Sequence, residues 1–129
     1  GIRVLAPEPN AALIKMMENV TNQGGTATLA DIPGYRVAGK TGTADRPVNG
    51  RLQGITAAFI GIAPADKPSL VCSVIVDNPK GSAHGGDFTT PVFQSVMTYA
   101  LQRNKVPPTG VPLAPYPNWW GKDASKNPR

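Results

Sequence analysis

The first apolar residues of the chain recur at helical spacing. Leu13, Met16, Met17 and Val20 stand at i, i+3, i+4 and i+7, which places them on one face of a helix. Prolines precede this stretch and two glycines follow it, so the pattern predicts a helix over residues 9–20. We expect its apolar face to pack against the rest of the protein.

Three strands are predicted after this helix. Residues 35–38 have a strand-like composition and lead into Lys40-Thr41-Gly42-Thr43, and two apolar runs follow at residues 55–63 and 70–77. Residues 64–68 include two prolines and form a turn short enough to make the last two strands antiparallel neighbours. The polar stretch at residues 44–54 is interpreted as a connection between strands.

A second amphipathic helix is predicted to begin at residues 89–91, where two threonines and a proline suit a helix start after a loop at residues 78–87. Its apolar stripe comprises Phe93, Val96, Met97, Ala100 and Leu101. Arg103 and Lys105 suit the negative end of its dipole.

The order helix, three antiparallel strands, helix predicts an α+β fold in which helices flank an antiparallel sheet. If the strands are ordered as in the sequence, the strand with Lys40 to Thr43 lies at an edge of the sheet. We expect residues 1–105 to form this unit. Residues 106–129 are rich in proline and contain Trp119 and Trp120, so we expect an extended tail that its aromatic residues hold on the surface.

Composition limits the possible functions. At 129 residues and 40% hydrophobic content, the chain has the size and apolar content of one folded domain. The net charge is +5, but the basic residues are scattered, so we expect no nucleic-acid partner and leave attraction to an anionic envelope as a second interpretation. The single Cys72 excludes an intrachain disulfide and a structural zinc site. It is interpreted as a small core residue, with a reactive thiol as the alternative.

Residues 34–43 match two motifs with unrelated chemistry. Gly34 to Thr41 spell G-x-x-x-x-G-K-T, the phosphate-binding loop, whereas Lys40 to Thr43 spell K-T-G-T, an element of serine acyl-transfer sites. In a phosphate-binding loop the Lys-Thr pair opens a helix, but here Gly42 and Pro47 follow too closely for one. The surrounding sequence therefore favours acyl transfer.

The K-T-G-T residues have the chemistry of a substrate-binding strand edge. Lys40 supplies positive charge, Thr41 and Thr43 supply hydroxyl groups, and Gly42 leaves the backbone open to a ligand. Because side chains alternate along a strand, Lys40 and Gly42 are expected to point away from Thr41 and Thr43. The tetrapeptide alone is equally compatible with an ordinary exposed strand.

Beyond the tetrapeptide, the chain resembles the C-terminal part of the transpeptidase domain of class B penicillin-binding proteins. The matching segments occur in the family's order at residues 9–20, 24–27, 37–44, 57–64, 74–79, 85–86 and 90–93. The resemblance covers residues 3–105, and the proline-rich tail is reminiscent of actinobacterial members.

The resemblance implies a serine enzyme that crosslinks peptidoglycan stem peptides ending in D-Ala-D-Ala and that β-lactams acylate. It implies catalytic roles for Lys40 and Thr41 in proton transfer and carboxylate binding. It further implies that Gly42 and Thr43 contact the substrate, with the Thr43 N–H in the oxyanion hole. No cofactor or metal is expected. The implied location is the extracytoplasmic face of the cytoplasmic membrane, with cell-division or elongation proteins as partners.

Two further family motifs are not found in their expected places. No serine in the chain is followed by lysine at the third position, so S-x-x-K and its nucleophile are absent. Ser125-Lys126-Asn127 matches S-x-N but lies after the K-T-G-T strand, and we regard it as coincidence. We therefore expect a companion segment, N-terminal to this one, that carries both motifs. His84 is interpreted as a residue at the rim of the site, with a catalytic role as the alternative.

Other functions remain open at this point. A D,D-carboxypeptidase or β-lactamase of the same fold would use water instead of an amine as acceptor. A non-catalytic penicillin-binding interaction module would keep the fold and bind partners. The K-T-G-T strand does not separate these possibilities.

Overall fold

The computed structural model describes residues 1–22, 24–81 and 84–110. The elements are helix α1 (Pro7–Thr21), a short 3-10 helix (Thr28–Ala30), strands β1 (Ala38–Val48), β2 (Arg51–Ala63) and β3 (Leu70–Asp77), and helix α2 (Gly85–Arg103). The strands form one antiparallel sheet in the order β1-β2-β3. The predicted α+β fold is confirmed, and β1 lies at an edge as expected.

The interpretation of residues 44–54 as a connection was wrong. β1 and β2 stay paired as far as Val48 and Arg51, and only Asn49 and Gly50 form the turn. Their φ angles are 50° and 75°, the left-handed values that a two-residue hairpin turn requires and that Asn and Gly tolerate best. Pro47 is accommodated because β1 is an edge strand and its pairing with β2 shifts register between Asp45 and Pro47.

The strand expected at residues 35–38 begins only at Ala38. Tyr35 instead forms an isolated bridge with Ile32 across a turn in which Gly34 has a φ of 85°. The turn at residues 64–68 is confirmed, as are the two strands that it joins.

Helix α2 begins earlier than predicted. Gly85, Gly86 and Asp87 belong to the helix, and Pro91 lies inside it. A proline inside a helix removes one backbone hydrogen bond. The helix nevertheless continues to Arg103, and within its first turns Thr90 donates its hydroxyl proton to the Gly86 carbonyl at 2.7 Å.

The core lies between α2 and one face of the sheet, to which every second residue of β2, including Phe59, contributes its side chain. Phe59 of β2 and Phe93 of α2 meet edge to face, with ring centroids 4.8 Å apart at 73°. Met97 and Leu101 extend the core along α2 as predicted, whereas Val96 of the expected stripe is 48% exposed. Cys72 is half-buried against this core, and burial raises the pKa of its thiol. The interpretation as a core residue is confirmed, and a reactive thiolate is disfavoured.

The apolar face predicted for α1 is only partly correct. Met17 and Val20 are half-buried, and Val20 packs against the core. Leu13 and Met16 are 45% and 48% exposed, and the buried residues are Glu18 and Thr21. Glu18 forms an ion pair with Arg36, and the Thr21 hydroxyl donates to the Val37 carbonyl at 2.8 Å. Polar contacts with the segment before β1, which spacing alone does not reveal, decide which face of α1 packs.

The start of the expected tail is tied to the fold. Tyr35 donates its hydroxyl proton to the Val106 carbonyl at 2.7 Å, and the Thr109 N–H donates to the Gly34 carbonyl at 2.8 Å. Trp119, Trp120 and Ser125-Lys126-Asn127 lie outside the described residues. In the described part of the chain, no helix combines the length and apolar character needed to span a bilayer.

Candidate active site

The K-T-G-T residues occupy the first half of edge strand β1. Thr41 pairs with Phe59 and Thr43 pairs with Ala57, both buried residues of β2, so the two threonines share the face on which α2 packs. Lys40 pairs with the half-exposed Ile60 on the opposite face. The alternation expected from the sequence is therefore present in the backbone.

The ammonium group of Lys40 nevertheless returns to Thr41. Its Nζ donates to the Thr41 carbonyl at 2.8 Å and lies 3.4 Å from the Thr41 hydroxyl oxygen. A positive charge and a threonine hydroxyl thus stand side by side, although their side chains leave the strand on opposite faces. Such a pair can bind a carboxylate and polarise a reacting group.

Gly42 lies on the same face as Lys40 and is exposed. A Cβ atom there would lie 3.6 Å from the Cβ of Ala58, which is an ordinary contact. The fold therefore leaves room for a side chain at Gly42, so packing does not explain the glycine.

A cavity of about 420 Å³ opens beside the two threonines. Three segments enclose it: the loop between α1 and the 3-10 helix, the middle of β1, and the start of α2. Its lining residues are Gly25, Thr26, Ala27, Thr28, Leu29, Thr41, Thr43, His84, Gly86, Asp87 and Thr90. Its walls are thus rich in hydroxyl groups.

His84 lies immediately before α2, is exposed and lines this cavity. The rim position expected from the sequence is confirmed. Within the described ranges, no three His, Cys, Asp or Glu side chains lie close enough together to hold a metal ion.

Sequence reasoning missed the contribution of Thr26. Its hydroxyl oxygen lies 3.4 Å from that of Thr41 and its side chain lines the same cavity. The sequence contains two signals. Both segments have a glycine pair followed by a polar residue, Gly24-Gly25-Thr26 and Gly85-Gly86-Asp87, and both belong to the segments that resemble the family. Nothing in their spacing shows that the two segments meet.

A buried ion pair fixes the segment that leads into β1. Arg36 donates through Nε and a terminal nitrogen to the two carboxylate oxygens of Glu18, both at 2.8 Å. The Glu18 side chain is 1% exposed and that of Arg36 is 24% exposed. The hydrogen bonds to Glu18 raise the pKa of the Arg36 guanidinium. The ion pair joins α1 to the segment before β1, four residues ahead of Lys40.

The phosphate-binding interpretation finds no structural basis. Gly34 lies in a turn, and Lys40 and Thr41 lie inside a strand that continues to Val48. No helix begins at the Lys-Thr pair, so the backbone amide groups that would surround a phosphate are not arranged for it.

The K-T-G-T residues thus lie at a sheet edge beside a hydroxyl-lined cavity. Residues 3–98 match the family described as penicillin binding protein transpeptidase domain. The chain therefore belongs to the penicillin-binding protein transpeptidase family, and its relatives place it in class B.

Curated relatives include penicillin-binding protein PbpB of Mycolicibacterium smegmatis, 39% identical over 121 residues, which cover 83% of this chain and 18% of that protein. Stage V sporulation protein D of Bacillus subtilis is 39% identical over 112 residues, which cover 84% of this chain and 16% of that protein. The chain thus spans less than a fifth of the length of these two relatives.

Solved structures of penicillin-binding proteins also match the fold of this chain. The transpeptidase domain of Burkholderia pseudomallei penicillin-binding protein 3 matches with a TM-score of 0.76 and 37% identity, over 87% of this chain and 34% of that one. Penicillin-binding protein 3 of Mycobacterium tuberculosis, complexed with ampicillin, matches with a TM-score of 0.72 and 31% identity, over 88% of this chain and 28% of that one.

Proposed function

We propose that this chain supplies one wall of the active site of a peptidoglycan D,D-transpeptidase that β-lactams acylate. The observation that carries the proposal is that the Lys40 ammonium lies against Thr41 at a strand edge, while the Thr41 and Thr43 side chains line one cavity. The chain's family and its relatives named peptidoglycan D,D-transpeptidase support it.

In this reaction a serine hydroxyl attacks the penultimate D-Ala carbonyl of a stem peptide, and the carbonyl oxygen becomes an oxyanion. The backbone N–H of Thr43, together with that of the serine, stabilises the oxyanion. The intermediate then collapses to a serine ester as the C–N bond breaks, and terminal D-Ala leaves with the proton that the serine gave up. An amine of a second stem attacks the ester, forms the new amide, and gives a proton back to the serine oxygen. A β-lactam enters the same first step but stays bound to the serine.

Lys40, Thr41 and Gly42 have distinct parts in this proposal. The Lys40 ammonium attracts the substrate carboxylate and holds the proton shuttle in its reactive state. The Thr41 hydroxyl donates to the carboxylate, since it already lies beside the ammonium. Gly42, which packing does not require, lets the ligand approach the backbone of β1.

The nucleophile belongs to a companion segment of the same protein that carries S-x-x-K and S-x-N. The face of the sheet away from α2 supports such a partner because Ile60, Val71 and Ile75 are 48%, 67% and 68% exposed. The companion covers this apolar face, since this chain spans only 34% of the matched Burkholderia transpeptidase domain. The whole protein acts at the extracytoplasmic face of the cytoplasmic membrane, where its stem-peptide substrate lies, alongside cell-division or elongation proteins.

Fluorescent penicillin tests the proposal on the complete protein. We expect a covalent fluorescent band that excess ampicillin prevents and that disappears when the serine of S-x-x-K is replaced by alanine. An unlabelled protein would contradict the proposal and favour a non-catalytic interaction module.

Product analysis then separates the reaction types. With a D-Ala-D-Ala peptide and an amine acceptor, a transpeptidase releases D-Ala and forms the crosslinked amide. A carboxypeptidase releases D-Ala without the amide, and a β-lactamase hydrolyses penicillin with turnover. Titration with an ATP analogue should give no binding below millimolar concentration.

A further inference from the structure

The loop after α1 places a second hydroxyl against the K-T-G-T strand. Thr26 lines the same cavity as Thr41, and the two hydroxyl oxygens lie 3.4 Å apart. We propose that Thr26 is a positioning residue for acylation: it fixes the direction of the Thr41 hydroxyl. This inference rests on the proposed function of the K-T-G-T wall.

The first step of the argument is the hydrogen-bond balance at Thr41. An ammonium group only donates, so the Thr41 oxygen can only accept from Lys40 Nζ, which lies 3.4 Å away. The hydroxyl proton of Thr41 must then point to another acceptor, and Thr26 Oγ1 is within reach. When a ligand carboxylate accepts a hydrogen bond from the Thr41 hydroxyl, the Thr26 hydroxyl turns and donates to the Thr41 oxygen. Thr26 thus supports Thr41 in both states.

The second step is that the backbone of Thr26 is held on both sides. The Gly25 N–H donates to the Asn22 carbonyl and the Ala27 N–H donates to the Val20 carbonyl, both at 2.8 Å. These bonds attach the loop to the end of α1. The position of Thr26 is therefore set by a helix rather than by a free loop.

The third step is the close approach of α2. A Cβ atom at Gly86 would lie 2.9 Å from the Thr26 carbonyl oxygen and 3.4 Å from the Thr41 methyl group. Only a residue without a side chain lets the first turn of α2 touch both threonines without displacing either. The buried Thr90 fixes this turn through its hydrogen bond to the Gly86 carbonyl. Three elements thus converge on the Thr26–Thr41 pair.

The test measures the acylation rate of the complete protein with fluorescent penicillin, resolved into an affinity and a rate constant. We expect Thr26→Val to lower the acylation rate constant about fivefold, the effect of one ordinary hydrogen bond, with little change in affinity. Thr26→Ser, which keeps the hydroxyl, should restore the wild-type rate. Thr98→Val is the matched control: Thr98 lies twelve residues beyond Gly86 on α2, about 18 Å along the helix.

A double-mutant cycle decides whether Thr26 acts through Thr41. In a Thr41→Val background, Thr26→Val should cause no further loss. An equal loss in both backgrounds, a wild-type rate for Thr26→Val, or a slow Thr26→Ser would each overturn the inference. If Thr26→Val does not fold, Thr26→Ala replaces it, with the same expected fivefold loss.

The outcomes separate this inference from the proposed function. If Thr41→Val itself is acylated at the wild-type rate, the role proposed for the K-T-G-T wall fails. If Thr41→Val is acylated slowly and Thr26→Val at the wild-type rate, the role proposed for the K-T-G-T residues is retained and only the role of Thr26 is contradicted.

Discussion

At the scale of single residues, the site depends on a lysine whose ammonium group binds the backbone of its own strand. The side chain of Lys40 leaves β1 on one face, yet its ammonium donates to the carbonyl of Thr41, whose side chain lies on the other face. This is possible because, among the described strands, β1 has a neighbour on one side only. An edge strand, which is otherwise open to unwanted pairing, here brings charge and hydroxyl groups together.

Gly42→Ala should separate function from stability at this strand. The new Cβ would meet Ala58 at the ordinary distance of 3.6 Å, so we expect the melting temperature to change by less than about 3 °C. The methyl group would hold a ligand away from the backbone, so acylation by penicillin should slow on the order of tenfold. Melting curves and acylation kinetics on the same preparation give both quantities. Rapid acylation of the alanine variant would show that the ligand does not approach β1 at Gly42.

The sequence identified Lys40, Thr41, Gly42 and Thr43 as site candidates because they form a contiguous motif. It could not place Thr26, Gly86 and His84 around the same cavity. Thr26 comes from the loop after α1 and the other two from the start of α2, and these two segments meet β1 only in the fold. Side-chain alternation predicted the faces of the strand correctly. It could not predict that the flexible Lys40 side chain bends back so that its ammonium group contacts Thr41.

At the scale of elements, helix α1 is held by charge as well as by apolar contact. Glu18 is fully buried and accepts two hydrogen bonds from Arg36. Periodicity had grouped Leu13, Met16, Met17 and Val20 on the packing face, but the first two are half-exposed. Spacing shows which residues share a face of the helix. The ion pair between Glu18 and Arg36 determines which face packs against the rest of the protein.

Removing the Glu18 carboxylate should destabilise the protein markedly. Glu18→Ala leaves the Arg36 guanidinium beside a cavity without its partner, and we expect a loss of about 2–4 kcal/mol in the free energy of unfolding, since Arg36 is partly exposed. Urea denaturation of the complete protein measures it. Lys15→Gln, at an exposed position on the same helix, is the control and should stay within about 0.5 kcal/mol. A neutral Glu18→Ala would show that the pair does not hold α1 in place.

The other elements differed in how much their sequences revealed. The strands at residues 55–63 and 70–77 were predicted because their apolar runs end at a proline-rich turn. The Asn49-Gly50 hairpin was missed, although this dipeptide is a strong turn signal, because the polar residues around it suggested a loop. The start of α2 was misplaced because the sequence Thr89-Thr90-Pro91 is typical of a helix start, whereas here it lies inside the helix.

At the scale of the whole molecule, one face of the sheet is packed and the other is open. Gly39 and Gly61 pair across β1 and β2, and their missing side chains leave space for the rings of Phe59 and Phe93. The opposite face presents Ile60, Val71 and Ile75 to solvent. The sequence predicted the layers, but it could not predict this asymmetry because both faces of β2 and β3 are apolar.

Gly61→Ala tests the packed face. A Cβ there would lie 2.6 Å from the Phe93 ring, so the two phenylalanines must move, and we expect a loss of about 1–3 kcal/mol in the free energy of unfolding. Gly42→Ala on β1, where space is available, is the matched control. Equal stability of the two variants in urea denaturation would contradict the packing described for Phe59 and Phe93.

The most direct test of the central claim is the second-order rate constant for acylation of the complete protein by penicillin, with and without the Lys40 ammonium. We predict that Lys40→Met lowers this rate constant at least a hundredfold, because the charge beside Thr41 is lost. Lys67→Met, in the exposed turn between β2 and β3, should leave it unchanged. Acylation of Lys40→Met at the wild-type rate would contradict the assignment of residues 40–43 as a wall of the active site.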